Sequence, residues 1–141
     1  RTIQTTATLD GDEWLINGHK IWPSNSGHTG NLYVVVCTTK KGSSDPDDFA
    51  LILVPADSEG VDVGNPYHKC GMSADVNTDI WFDHVRVPKR YRMHGPGDDL
   101  LIVQGGMDGL TELLEHRMVV GIPVYVTVLA YPCLYARWIR L

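Results

Sequence analysis

Positive charge is what this sequence is short of. Twelve Lys and Arg stand against 17 Asp and Glu, a formal net charge of -5. Nonspecific nucleic-acid binding is driven by neutralising phosphates, so a nucleic-acid partner is set aside. The acidic residues are spread along the chain, apart from a loop-like "SSDPDD" at Ser43 to Asp48, so no acidic tail is indicated. Cysteine is scarce too. Cys37, Cys70 and Cys133 are odd in number and far apart, which suits a reducing, intracellular compartment. His68 and Cys70 flank a lysine, but no second ligand pair at zinc-like spacing follows, so no metal site is assigned. Internal repeats and low-complexity stretches are absent. No signal-peptide pattern opens the chain, and its first residue is Arg1, so the expectation is a fragment or a processed piece.

What is present is the material of one ordinary domain: 141 residues, 43% hydrophobic and 21% charged, enough to bury a core. The chain divides into two parts of different character. Up to about Pro88 it reads as β. "TIQTTATL" and "EWLING" alternate polar and apolar residues around Asp10-Gly11, a short-hairpin signal. Strand-like runs "NLYVVVCTT", "FALILVP", "GVDVG" and "TDIWFDHVRVP" follow, separated by Gly, Ser, Asp and Pro clusters. That spacing predicts an antiparallel barrel or sandwich.

After "GPGDD" (Gly95 to Asp99) the pattern turns helical. Val103, Met107, Leu110, Leu114 and Met118 recur at three or four residues, one apolar helix face, with Asp98 or Asp99 as the cap. Met118 to Ala136 carries no charge, and its length also suits a membrane span. Pro123 and Pro132 interrupt that run, so the reading preferred is a helix buried in a bundle rather than one in a membrane. An apolar helix without a complete bundle around it would favour self-association, so a homo-oligomer is expected.

Three segments in order carry a family likeness: "TTATLDGDEWLINGHKIWPSNSG", "LVPADSEGVDV" and "GMSADVNTDIWFDHVRVP". Over residues 2–88 they resemble the middle domain of the acyl-CoA dehydrogenase family, which shows "NG-x-K-x-W-[IV]-[ST]-N", a "VP…PG" strand end and a closing "F-x-x-V-x-VP". The resemblance implies a mainly β chain: a middle-domain β-barrel over residues 1–95, then the start of a C-terminal helical bundle over 96–141. It also implies FAD as cofactor, an acyl-CoA thioester as substrate and an electron-transfer acceptor. Carried over by position, Trp22 lies against the flavin ring and Ser24 hydrogen-bonds the flavin near its redox-active nitrogen. Alternation would put both on one side of an extended segment. Lys20 and Asn25 complete the motif in structural roles, the lysine as a solvated strand residue. Pro23 stands where the family has a β-branched residue and removes one backbone N–H from that contact. Ser73 replaces a common arginine.

In the family a carboxylate removes the α-proton of the thioester, and in most members it lies far along the helical bundle, beyond the position of Leu141. A minority carry it in a local "L-E-R". Here "LLEHR" (Leu113 to Arg117) puts Glu115 two positions before Arg117, and one residue turns a side chain about 100° around a helix. No catalytic residue is firmly assigned; Glu115 and Arg117 are weak candidates, and another register places Thr111 where Arg117 would act. The resemblance implies a chain that contacts FAD within an acyl-CoA dehydrogenase and lacks full activity alone. The alternative is a non-enzymatic β-domain that has lost the cofactor and serves in binding or assembly.

Overall fold

The structure is a computed structural model and describes residues 3–28, 30–71 and 74–99, with the backbone of 126–129. Seven strands form one sheet: β1 (Thr6–Asp10), β2 (Glu13–Ile21), β3 (Leu32–Thr38), β4 (Phe49–Pro55), β5 (Val61–Val63), β6 (Asp79–Pro88) and β7 (Val126–Leu129). Their order is β4-β3-β1-β2-β6-β5, with β7 beside β3. β1 and β2 make the hairpin expected from the sequence, turning through Gly11 and Asp12, with Gly11 at φ 62°.

Three expectations are corrected. Among the described residues the sheet is a curled half-barrel rather than a closed one, since no pairing there joins β4 to β5. It is not purely antiparallel, because β3 runs parallel to both β1 and β7. Residues 126–129 are a strand, not part of a helix over 118–136. "VTVL" is dominated by β-branched side chains, which suit a pleated surface better than a helix. The rest of the apolar run and the helix face from Val103 lie outside the described residues.

Alternation sorts the side chains. Ala7, Trp14, Ile16, Tyr33, Val35, Ile52, Val54, Ile80, Phe82, Val85 and Val87 meet in one core inside the curl. On the opposite face, Val34, Val36 and Leu51 are buried with Ile3 and Leu53 against them. That is why "LYVVVC" is apolar without alternation: β3 is buried on both faces. In β6 the inward positions change parity, from Ile80 and Phe82 to Val85 and Val87. A β-bulge makes the change, with Asp83 and His84 opposite Asn17 alone between Ile16↔Val85 and Gly18↔Phe82. His84 adopts φ 53°, and its backbone N–H donates to Asn17 Oδ1 at 2.8 Å.

Among the described residues, two charged side chains go inside. Lys20, expected on the surface, is only 4% exposed, and its Nζ donates to the Val36 carbonyl at 2.8 Å. That carbonyl belongs to the interval of β3 between its bridge to β1 at Thr38 and its ladder to β7 over Leu32 to Val35. Burial lowers the Lys20 amine to about 8, while the Cys37 thiol beside it is pushed up to about 12 by its own burial. Asp99 does not serve simply as a helix cap. It is 1% exposed and receives Arg92 Nε and Nη2 at 3.0 and 2.8 Å. The same guanidinium donates to the Phe49 carbonyl at 3.0 Å and lies over the Trp14 ring at 5.8 Å.

Gly60 is where β5 meets β6. It has φ 87°, and a Cβ there would sit 2.2 Å from the Asp83 carbonyl oxygen. Gly60→Ala should lower stability by about 1–3 kcal/mol in urea unfolding. A variant as stable as the parent would show that β5 is not held this closely. Lys20 gives a pH signature. Its folded value lies below the ordinary 10.5, so between about 8 and 10.5 the unfolded chain holds a proton that the folded chain has released. Stability therefore rises with pH across that window. Relative to Lys20→Met, the parent should gain about 1 kcal/mol between pH 7.5 and 9. A flat difference in paired denaturation curves would contradict a desolvated amine.

Candidate functional site

The sequence "IWPSNSGH" begins where β2 ends, at Ile21. The backbone does not continue extended: Trp22 has φ 61° and Asn25 φ 56°, with residues 24–27 in turns. Trp22 and Ser24 are thus not alternate positions of a strand. Both are nonetheless exposed, Trp22 at 52%. A bulky aromatic residue in the left-handed region costs on the order of 1–3 kcal/mol and persists only where its surroundings over-determine it.

Those surroundings come from "DVNT", Asp75 to Thr78, just before β6. The Ser26 hydroxyl donates to the Pro23 carbonyl at 2.9 Å, lies 2.7 Å from Thr78 Oγ1 and accepts the Thr78 backbone N–H at 2.9 Å. Asn77 Nδ2 reaches the carbonyls of Pro23 and Trp22 at 3.2 and 3.5 Å. Asp75 Oδ1 accepts the Asn25 N–H at 3.2 Å, and Asn31 Nδ2 donates to the Asn25 carbonyl at 2.7 Å. Tyr33, rising from the core, donates its hydroxyl to the Ser26 carbonyl at 2.9 Å. Lys69 completes the set by donating to the Asp75 carbonyl and to Asn77 Oδ1. Pro23 is buried, so its ring packs inward while its carbonyl takes two donors.

The Trp22 indole stacks on Tyr67 with centroids 4.3 Å apart and planes 24° apart. The Tyr67 N–H donates to the Asn77 carbonyl at 2.9 Å. Burial and the neighbouring Asp79 carboxylate push the Tyr67 phenol up to about 12, so it stays protonated. Asp79 also pairs with His19 Nε2 at 3.1 Å, and the His19 ring lies flat on Trp81, centroids 4.8 Å apart. The result is two stacked ring pairs, His19 with Trp81 and the half-buried Tyr67 with the exposed Trp22, both of which meet the Asp79 carboxylate. A half-open indole next to a turn hydroxyl is the kind of surface that takes a flat, partly polar ring.

Of the residues named from sequence, Trp22, Pro23 and Ser24 fall together in this turn. Glu115, Arg117 and Thr111 lie outside the described residues, as does Ser73. Ser26, Asn77, Thr78 and Tyr67 were not foreseen. Ser26 and Thr78 meet only through the fold, 52 residues apart, and no local pattern marks them. Lys20 did carry a signal, since it shares parity with the inward Trp14 and Ile16. Among the described residues, no group of three or more His, Cys, Asp or Glu is placed to hold a metal ion. No helix among them is long and apolar enough to cross a membrane.

Comparison with known proteins gives the turn a context. Residues 1–85 match the family model described as the acyl-CoA dehydrogenase middle domain. The chain is 36% identical over 97 residues to acyl-CoA dehydrogenase IpdE1 of Mycobacterium tuberculosis, covering 69% of this chain and 24% of that protein. It is 34% identical over 88 residues to cyclohexane-1-carbonyl-CoA dehydrogenase of Syntrophus aciditrophicus, covering 62% of this chain and 22% of that protein. The crystal structure of acyl-CoA dehydrogenase from Geobacillus kaustophilus superposes with a TM-score of 0.68 at 28% identity, over 74% of this chain and 27% of that one. The chain thus spans about a quarter of the length of the relatives it matches. It belongs to the acyl-CoA dehydrogenase family, and residues 1–85 match that family's middle domain.

Proposed function

We propose that this chain is the FAD-contacting portion of a flavin-dependent dehydrogenase acting on an acyl-CoA thioester. The observation that carries the reading is Trp22, held half-exposed in a strained backbone at the position of the family's flavin-wall tryptophan. A residue fixed at this cost by a polar network is better explained by presenting a ring than by filling a core. FAD, when bound, supplies the two-electron acceptor. The chain's part is to offer the Trp22 face, exclude water from one side of the ring, and bring the Ser24 hydroxyl to its polar edge. The residues fit that task, with an open aromatic face and an exposed hydroxyl in one turn.

The barrel-type domain is taken to run to near residue 95 and to include the strand Val126–Leu129, with other residues after 95 opening a helical domain that contributes the rest of the site. The base that removes the α-proton is assigned to a later part of the family's helical bundle, so these 141 residues alone are expected to fall short of full turnover. A homo-oligomer and an electron-transfer acceptor complete the proposal, within the cell. Relatives named for acyl-CoA and cyclohexane-1-carbonyl-CoA support a CoA thioester as the substrate class.

A second reading, a β-domain that has lost the flavin and serves in binding or assembly, is favoured by Pro23. A ring nitrogen without hydrogen removes one donor beside Trp22, and the Pro23 carbonyl is already taken by Ser26 and Asn77. Titrating FAD into the chain, while following tryptophan quenching and the flavin absorption band, separates the two. Saturable binding is expected, weakened about 3- to 10-fold by Trp22→Ala. Ser24→Ala should shift the absorption band with a smaller loss of affinity. No binding to the chain or to any longer form containing it would favour the second reading, and affinity unchanged by Trp22→Ala would remove Trp22 from the site.

A further inference from the structure

Trp22 is constrained in two separate ways. Its backbone is held by the Asn77 carboxamide, which reaches the Trp22 and Pro23 carbonyls. That tie leaves the indole free to rotate about its side-chain bonds. The side chain is met by Tyr67, whose ring stacks on the indole at 4.3 Å and 24°. Tyr67 is itself held at both ends. Its N–H donates to the Asn77 carbonyl at 2.9 Å, and its phenol lies against Asp79, which also pairs with His19. One residue, Asn77, therefore anchors both the tryptophan backbone and the ring that faces the tryptophan side chain.

We propose that Tyr67 is a positioning residue: it backs the Trp22 indole, fixes its plane and reserves the opposite face for a single planar ligand. An unbacked indole at 52% exposure would sample several rotamers and lose that freedom on binding. With Tyr67 behind it, the orientation is set beforehand, and a flat ring completes a three-layer stack of Tyr67, Trp22 and ligand. Close stacking of aromatic rings adds to the favourable burial of their faces. The ring of Tyr67 does this work, and its hydroxyl only steers the ring toward Asp79. The assignment rests on the flavin reading for the identity of the ligand, but not for the geometry of the pair.

The test begins without ligand. In the full chain labelled at tryptophan, the Trp22 indole N–H signal is identified by its disappearance in Trp22→Phe. Tyr67→Leu should move that signal and raise its solvent exchange, leaving the Trp14 signal, remote from this contact, in place as the reporter of the intact fold. Tyr67→Phe, which keeps the ring, should leave it close to its original position. FAD titration should then show affinity reduced severalfold in Tyr67→Leu and within twofold of the parent in Tyr67→Phe. An unmoved Trp22 signal in Tyr67→Leu overturns the proposal, as does equal weakening by both variants. If Tyr67→Leu fails to fold, Tyr67→Met provides the same comparison. A parent chain that binds no FAD, but whose Trp22 indole responds to Tyr67→Leu and not to Tyr67→Phe, upholds the positioning role and counts against the flavin reading alone.

Discussion

The Ser26 hydroxyl is the contact on which the rest of the candidate site depends. It donates to the Pro23 carbonyl and accepts the Thr78 N–H, so one small polar atom joins the turn after β2 to the start of β6. Both partners are buried, where a hydroxyl left unpaired costs about 1–3 kcal/mol and a satisfied one fixes geometry. From that joint follow the left-handed backbone at Trp22, the inward packing of Pro23 and the exposure of Ser24. Tyr33 ties the same turn down to the core, so the site's rigidity is borrowed from the sheet and not from the loop itself.

The fold makes this possible by changing register at the right place. The bulge at Asp83 and His84 lets β6 bury Ile80 and Phe82 near the site, and Val85 and Val87 farther away, without a break in the strand. Lys20 acts as a polar rivet in the interior. A lysine in a core is costly when charged, and its lowered proton affinity expresses that cost. It is kept where a backbone acceptor on β3 faces a gap between two partner strands.

Much of the strand layout was legible in the sequence. The Asp10-Gly11 hairpin, the doubly apolar β3, and the turn clusters before β4 and β6 all follow from residue type and period. The motif around Trp22 was legible as well, because its residues are contiguous. What escaped the sequence was what depends on distant pairs. Ser26 with Thr78, Tyr67 with Trp22 and Arg92 with Asp99 are chemically ordinary residues whose meeting is decided by topology. Lys20 was misjudged because residue type was weighed above parity. The strand at Val126–Leu129 was misjudged because a long apolar run suits a buried helix and a buried strand equally, and its β-branched content was the better guide.

The bridge from Arg92 and Met93 to the outer side of β4 has a further consequence. The Met93 N–H donates to the Leu51 carbonyl at 2.9 Å, and Ile52 pairs with Arg92, so part of the row of groups at that margin is already spoken for. The opposite margin is β5, three residues long and tethered through Gly60 to Asp83. An incompletely closed sheet is normally a template for strand addition by other chains. Among the described residues one margin is plugged and the other is cut short, so neither offers another chain a long row of unpaired backbone groups to pair with.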